Sequence, residues 1–162
     1  MIEPDVVIEP TCPDEAGAIL AITVQAGVFN GKEVETVREL LDGYYDDPDE
    51  SGYNFLSYRK DGRVLGYACW GPRDLSGNGY DFYWLCTAIE SRGKGIGRAL
   101  MQRVEAEVLA RNGIWIVIET SDTDQYAPAR RLYERCGYQK SMLLPDFYHE
   151  GDGLVTYTKR VR

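Results

Sequence analysis

A short glycine-rich segment with three basic residues has the clearest capacity for chemistry in this sequence. Residues 90–98 read ESRGKGIGR and lie between an aromatic-rich stretch and a Leu-rich stretch. Glycines lack a Cβ atom, so the backbone can approach a ligand closely and turn its N–H groups toward one point. A helix that begins there adds its positive N-terminal end. With the charges of Arg92, Lys94 and Arg98, these features predict an anion-binding loop.

Two common glycine-loop motifs do not match this segment. A dinucleotide-binding loop has the spacing Gly-x-Gly-x-x-Gly, whereas the glycines here stand at every second position, Gly93, Gly95 and Gly97. A Walker loop has Gly-Lys followed by Ser or Thr, whereas Gly93-Lys94 is followed by glycine. The missing hydroxyl disfavours a regulator that binds a nucleotide with Mg²⁺.

The segment does match the pattern Arg/Gln-x-x-Gly-x-Gly, which Arg92, Gly95 and Gly97 satisfy. A second block, residues 129–138, reads ARRLYERCGY, and a strand-like apolar run separates the two blocks. Together they resemble the acetyl-CoA loop and the Ala-x-x-Leu-Tyr-x-x-x-Gly-Phe/Tyr element of the GNAT-type N-acetyltransferase superfamily. The order of predicted elements from Val6 to Arg160 is similar to that of the whole GNAT fold.

The resemblance implies acetyl-CoA as a co-substrate and no metal. In the family, the strand before the loop exposes its backbone to the pantetheine arm, and the loop amides hold the pyrophosphate. By position in this sequence, the residues along the arm would be Leu85, Cys86 and Thr87, and those at the phosphates would be Arg92, Gly93, Lys94, Gly95, Ile96, Gly97 and Arg98. The second block would contribute Tyr126 and Ala129, although the family commonly has Asn at the position of Tyr126.

The resemblance also implies two catalytic residues. Tyr133 would be the general acid that protonates the CoA thiolate as it leaves, and its phenol shares a helix face with Ala129 and Cys136. Glu119, at the end of an apolar strand, would be the base, acting through water if necessary. An amine needs a base because its protonated form is not a nucleophile. A packing role for Tyr133 and a solvated role for Glu119 remain open at this stage.

Hydrophobic periodicity predicts the elements that position these residues. Strand signals cover seven stretches, residues 6–9, 53–58, 64–70, 80–89, 114–118, 138–144 and 154–160. Helix signals cover four, about 11–29, 32–45, 96–112 and 127–135. The pattern predicts an α/β arrangement with a mixed sheet and helices on its faces. The GNAT resemblance makes this a mostly antiparallel central sheet of about six to seven strands in a single domain, residues 1–162.

Composition places the chain among folded proteins of a reducing compartment. It has 162 residues, 44% hydrophobic and 27% charged. Its four cysteines, Cys12, Cys69, Cys86 and Cys136, lack the close spacing of a metal cage or disulfide framework, and three lie in apolar surroundings that predict core positions. The acidic N-terminus and the lack of a long apolar run predict no export signal and no membrane span, hence a cytoplasmic protein.

The single histidine disfavours nucleophile–histidine catalysis. Serine and cysteine triads need an imidazole close to the nucleophile, and His149 is predicted to lie in a polar loop, residues 146–151.

Charge is divided unevenly along the chain, which has a net charge of -8. Residues 1–57 contain 13 acidic and 2 basic residues, whereas residues 58–162 contain 13 acidic and 16 basic residues. Such a distribution disfavours a nucleic acid partner and suits an anionic co-substrate beside a cationic acceptor. In GNAT-like folds the first two helices form a wall of the acceptor site, which here would carry Glu33, Glu35, Glu39, Asp42, Asp46, Asp47, Asp49 and Glu50. Simple solvation of exposed helix faces is the alternative.

Three further alternatives remain open from the sequence. The acceptor is a small-molecule amine or a peptide, and its identity is undetermined. A CoA-binding sensor without turnover and a transferase that uses a longer acyl-CoA would both carry the same loop. The resemblance to a family whose members often dimerise also allows a homodimer.

Overall fold

The computed structural model describes residues 5–162. Within this range, seven strands form one sheet: β1 Val6–Pro10, β2 Asn54–Lys60, β3 Arg63–Pro72, β4 Gly79–Thr87, β5 Trp115–Ser121, β6 Gln139–His149 and β7 Asp152–Arg160. The same described residues form five α-helices: α1 Ala16–Gln25, α2 Gly31–Asp46, α3 Pro48–Ser51, α4 Ile96–Ala110 and α5 Ala127–Arg135. Short 3-10 helices cover Pro13–Glu15, Ile89–Ser91 and Asp124–Tyr126.

The sheet confirms the predicted α/β class. Its strand order is β1-β2-β3-β4-β5-β7-β6. Antiparallel pairing joins β1 to β2, β2 to β3, β5 to β7 and β6 to β7, whereas β4 and β5 pair in parallel. The sheet is therefore mixed and mostly antiparallel, as predicted.

Contacts divide the chain into two compact units. The first contains the described residues up to Gly71 together with Trp84–Val104, and the second contains Pro72–Tyr83 and Glu105–Arg162. The prediction of one domain stays a prediction.

The first unit is built on the β-hairpin that β2 and β3 form. Asp61 and Gly62 have φ values of 51° and 74°, the left-handed conformation that a tight hairpin turn requires. Strands β2 and β3 and helices α1 and α2 enclose a core that includes Ile19, Leu41 and Phe55, each at most 1% exposed. Burial of these side chains supplies the main stabilisation of the unit.

A polar network ties the start of α1 to the hairpin. The Arg59 guanidinium donates to both carboxylate oxygens of Glu15, with 2.7 Å between Nη2 and Oε2. Glu15 also accepts from the Cys12 amide at 2.7 Å and from the Ser57 hydroxyl at 3.1 Å. Burial of Glu15 raises the pKa of its carboxyl, but these donors outweigh it, and the pKa lies below its ordinary value.

The second unit is held by contacts around the segment between β5 and α5. Arg130 Nη1 donates to the carbonyl oxygens of Ser121 and Thr123, each at 2.7 Å. The Asp122 carboxylate accepts from the Gly153 amide at 2.7 Å. The end of β5, the start of α5 and the start of β7 are thereby fixed relative to one another.

Three predicted boundaries are wrong at the ends of elements. The first helix ends at Gln25 rather than near Phe29, because Gly27 adopts φ 73°. Helix α4 ends at Ala110 rather than Asn112, because Asn112 itself adopts φ 60°. Strand β4 ends at Thr87 rather than residue 89, because a 3-10 helix begins at residue 89.

The prediction of a loop around His149 is also wrong. Strand β6 continues from Gln139 to His149, and His149 pairs with Asp152 at the end of the hairpin. The pairing of β6 with β7 shifts register between Leu144 and His149, and Asp146 in this stretch adopts φ 55°. Because the strand is irregular there, the sequence does not show the alternation that predicts a strand.

The cysteine environments confirm part of the prediction. Cys69 and Cys86 are buried, Cys136 is half-buried and Cys12 is exposed, and no disulfide joins any of them within residues 5–162. No helix within residues 5–162 has the length and apolar character needed to span a membrane.

Candidate functional site

The glycine loop forms the predicted turn between a strand and a helix. Gly93 and Gly95 adopt φ values of 75° and 81°, a conformation that glycine accepts without steric cost. The Ala99 amide donates to the Gly95 carbonyl oxygen at 3.0 Å, which marks the first turn of α4. Backbone amides in the first turn of a helix have no intrahelical acceptor, and in α4 these amides belong to Ile96, Gly97 and Arg98. The loop can therefore present several N–H groups to an anion.

The three basic side chains of the loop are available to a ligand. Arg92, Lys94 and Arg98 are exposed, and none of them forms an ion pair with any residue in 5–162. Basic side chains without ion pairs, next to backbone amides without intrahelical acceptors, favour the binding of an anion with several charges, such as a pyrophosphate. The residues present therefore fit the phosphate groups of acetyl-CoA.

Gly66 positions the start of α4, and sequence analysis missed it. A Cβ atom at this position in β3 would lie 3.0 Å from Ile96 Cγ2, 3.1 Å from the Cys86 carbonyl oxygen and 3.3 Å from Leu100 Cδ1. Ile96 and Leu100 are buried, at 3% and 0% exposure. A glycine within a strand-like run was the available signal, since it often marks close approach of another segment.

The predicted pantetheine strand buries alternate side chains. Cys86 is buried, and its thiol lies 3.7 Å from the Ile22 carbonyl oxygen, whereas Leu85 and Thr87 are half-buried. Burial raises the pKa of the Cys86 thiol to about 11. The Cys86 thiol therefore stays protonated at neutral pH and is a poor nucleophile.

Strands β4 and β5 pair over a short stretch in the second unit. Their register pairs Gly79 with Trp115 and Asp81 with Val117. Within the described residues of the second unit, the ladder ends there, although β4 continues past Tyr83 and β5 past Glu119. That the backbone of β4 beyond Asp81 binds the pantetheine arm stays a prediction.

Tyr133 lies on α5 in an apolar, aromatic environment. It is 8% exposed, and its ring contacts the Tyr157 ring edge-on with centroids 5.7 Å apart. Burial, with the neighbouring Tyr126 and Tyr157, raises the pKa of the Tyr133 phenol well above its ordinary value. The phenol therefore remains protonated at neutral pH, the form that a general acid needs. Ala129 and Tyr126, the other predicted residues here, are half-buried at the start of α5.

Glu119 does not end its strand, contrary to the prediction. Strand β5 continues to Ser121, and Glu119 pairs in register with Thr156 of β7. Its side chain is 47% exposed, and Oε1 lies 3.7 Å from Nη2 of Arg73. Arg73 in turn contacts Asp81 at 2.6 Å. Arg73 and Asp81 were not among the predicted site residues, since only strand pairing brings them close to Glu119.

Comparison with known proteins decides the family. Residues 51–140, more than half of the chain, match the acetyltransferase (GNAT) domain family. The chain belongs to the GNAT acetyltransferase family. This GNAT chain is 38% identical over 101 residues to an uncharacterized N-acetyltransferase of Methanocaldococcus jannaschii. That match spans 62% of this chain and 62% of the relative's length.

Solved structures agree with this assignment. A GNAT-family protein from Desulfovibrio desulfuricans is 32% identical, with a TM-score of 0.94 over 97% of this chain and 99% of that one. An aminoglycoside 6'-N-acetyltransferase complexed with coenzyme A is 17% identical, with a TM-score of 0.77 over 96% and 97% of the two chains. The second likeness shows the fold shared by this GNAT chain and that enzyme.

The described part of this GNAT chain contains no group of three or more His, Cys, Asp or Glu side chains placed to hold a metal ion. The prediction that the reaction needs no metal stays a prediction.

Proposed function

We propose that this GNAT chain transfers the acetyl group of acetyl-CoA to a primary amine. The observation that carries the proposal is the loop at the start of α4, where Gly93 and Gly95 hold positive φ and three cations are exposed without ion pairs. Membership of the GNAT family and the coenzyme A complex of a protein with the same fold support it.

The proposed reaction is a direct transfer. Glu119 takes a proton from the acceptor ammonium, directly or through water, so that an N–H bond breaks and an O–H bond forms. The amine then attacks the thioester carbonyl; the N–C bond forms and the C–S bond breaks. Tyr133 donates its phenolic proton to the leaving thiolate, so that an O–H bond breaks and an S–H bond forms. The nitrogen of the new amide loses its second proton to water, and water returns a proton to the Tyr133 phenolate. The half-exposed Glu119 and the protonated, buried Tyr133 suit these roles.

The acceptor in this proposal is a cationic amine, either a small molecule or a basic peptide. The acidic residues of α2 and α3 are mostly exposed, and they would attract such an acceptor at low salt. We further propose a single catalytic domain that acts in the cytoplasm, where its four cysteines stay reduced, alone or as a homodimer.

An amine panel tests the proposal. The purified chain is incubated with acetyl-CoA and with polyamines, basic peptides, aminoglycosides, or neutral and acidic amino acids, and released thiol is measured. Thiol release that depends on an amine supports the transferase. Binding of acetyl-CoA without thiol release from any amine would favour the sensor, and faster release from succinyl-CoA would favour a longer acyl donor.

A further inference from the structure

Arg73 bridges two carboxylates of the second unit with different nitrogens of one guanidinium. Nη1 lies 2.6 Å from Oδ1 of Asp81, and Nη2 lies 3.7 Å from Oε1 of Glu119. The first distance is a charge-assisted hydrogen bond, and the second is an ion pair without a hydrogen bond. Arg73 is therefore anchored on Asp81 and only loosely engaged with Glu119.

Strand register explains why these side chains converge. Asp81 pairs with Val117, and Glu119 follows Val117 by two residues, so that Asp81 and Glu119 face the same side of the sheet. Tyr83 shares that side, and its hydroxyl lies 3.5 Å from Oδ2 of Asp81. Within the second unit, the ladder between β4 and β5 ends at the pair of Asp81 and Val117, and the cluster lies next to that pair.

The segment that carries Arg73 is itself fixed. The Arg73 amide donates to the Gly79 carbonyl oxygen at 2.9 Å, and the Ser76 amide donates to the Arg73 carbonyl oxygen at 3.1 Å. The Gly79 amide donates to the Ser76 hydroxyl at 2.9 Å. A Cβ atom at Gly79 would lie 2.9 Å from that hydroxyl, so the turn is closely packed. Arg73 is thus held in place before any ligand binds.

We propose that Arg73 is a positioning residue for Glu119. The hydrogen bond from Nη1 to Asp81 fixes the position of the guanidinium, and the longer contact from Nη2 orients the Glu119 carboxylate while leaving its oxygens open. Glu119 is 47% exposed, whereas Asp81 is 15% exposed, so Glu119 is the carboxylate that an acceptor amine can reach. This inference rests on the proposed role of Glu119 as the base.

The test is a double-mutant cycle in the amine-dependent thiol assay. Glu119→Gln should lower kcat by about 10²-fold or more, the usual contribution of a positioned base. Arg73→Met should lower kcat by about 10- to 10²-fold with a small change in KM for acetyl-CoA, because a misplaced group costs rate rather than co-substrate binding. Arg73→Met in the Glu119→Gln background should lower kcat no further, since residues that act as one unit are not additive.

Two variants separate positioning from general stability. Arg73→Lys should keep the melting temperature, since an ammonium can still pair with Asp81, but should lower kcat because one nitrogen cannot bridge both carboxylates. Arg111→Met is the matched control: Arg111 is 45% exposed and lies 2.7 Å from Glu107, close to the values for Arg73. It should leave kcat unchanged.

The outcomes are distinguishable. If Glu119→Gln is fully active, Glu119 is not the base, and both this inference and that part of the proposed function are overturned. If Glu119→Gln is impaired but Arg73→Met is fully active, or its effect adds to that of Glu119→Gln, the proposed base stands and the role of Arg73 is overturned. If Arg73→Lys is as active as the wild type, bridging is unnecessary and the role is also overturned.

Discussion

Gly66 of β3 lies against Ile96, the first residue of α4. A Cβ atom at Gly66 would lie 3.0 Å from Ile96 Cγ2 and 3.1 Å from the Cys86 carbonyl oxygen, closer than side chains ordinarily approach. The helix that starts at the glycine loop packs closely on the strand at residue 66, and a side chain there would force its neighbours to shift by a few tenths of an ångström.

Gly66→Ala is expected to destabilise the chain by about 1–3 kcal/mol, the usual cost of overpacking. It should also weaken acetyl-CoA binding, because the start of α4 must shift. The matched control is Gly17→Ala in α1, where a new Cβ atom meets nothing within 4 Å. That change should stabilise the chain by about 0.5–1 kcal/mol, since alanine is the better helix former. Denaturant unfolding measures both, and equal stability of the two variants would contradict the packing argument.

Gly97→Asp should abolish acetyl-CoA binding while keeping the fold. Gly97 lies in the first turn of α4, where an acidic residue is favourable to the helix but repels a pyrophosphate. In the wild type, acetyl-CoA at 100 times Kd should stabilise the chain by about 2.7 kcal/mol, seen as a rise in Tm. Gly97→Asn has similar bulk without the charge and should retain more of this rise. Undiminished stabilisation of the Asp variant would refute the loop assignment.

Gly95→Asp should abolish binding for an additional reason. Gly95 adopts φ 81°, which a residue with a side chain accepts only with strain. Its unliganded Tm should therefore fall, in contrast to that of Gly97→Asp. A thermal melt without co-substrate distinguishes the two, and an unchanged Tm for Gly95→Asp would contradict the observed turn.

Tyr133→Phe should lower kcat by about 10²- to 10⁴-fold while keeping acetyl-CoA affinity, the usual effect of removing a positioned general acid. Tyr157→Phe is the control, since its ring contacts Tyr133 but its hydroxyl donates to Glu134 at 3.0 Å. That variant should keep kcat. Steady-state kinetics of thiol release measures both.

The pH profile offers a further check on Tyr133. Because burial raises the pKa of its phenol above 10.0, the proton should be retained through neutral and mildly alkaline pH. Wild-type kcat should show no decline from loss of this proton below pH 10. Full activity of Tyr133→Phe would assign the residue to packing alone.

Neutralising three acidic residues at the junction of α2 and α3 should raise KM for cationic acceptors without lowering kcat. The variant is Asp46→Asn, Asp47→Asn and Asp49→Asn together. Asparagine is chosen because the Asp47 side chain caps α3, accepting from the amides of Asp49 and Glu50, and asparagine retains that capacity. KM for a polyamine should also rise with salt as screening increases. Equal use of acidic, neutral and cationic acceptors at low salt would contradict this steering.

Glu15→Gln should destabilise the chain by about 1.5–3 kcal/mol at neutral pH, because it removes hydrogen bonds to a charged partner. The folded-state pKa of Glu15 lies below the ordinary value of 4.5, so its contribution is present above that pH and is lost as the pH falls through the folded-state pKa. The stability difference between wild type and variant should therefore shrink below pH 4.5. A difference that is independent of pH would show that shape rather than charge is responsible.

Local chemistry along the chain was enough to predict most elements. The Asp61-Gly62 turn, the helix from Ala127 to Arg135 and the apolar run of β5 each carry their own signal, because a turn conformation, a helix start or a buried strand depends on neighbouring residues. The glycine loop belongs to the same class: its conformation requires glycine at 93 and 95, and both requirements are visible in the residue types.

Tertiary structure alone decided the environment of the candidate base and of the loop. Arg73 and Glu119 are 46 positions apart in the sequence and meet because β4 and β5 pair in the register that aligns Asp81 with Val117. Gly66 likewise meets Ile96 only when α4 packs on β3. Such contacts depend on register and packing between distant segments, and neither periodicity nor local propensity specifies which distant partners will meet.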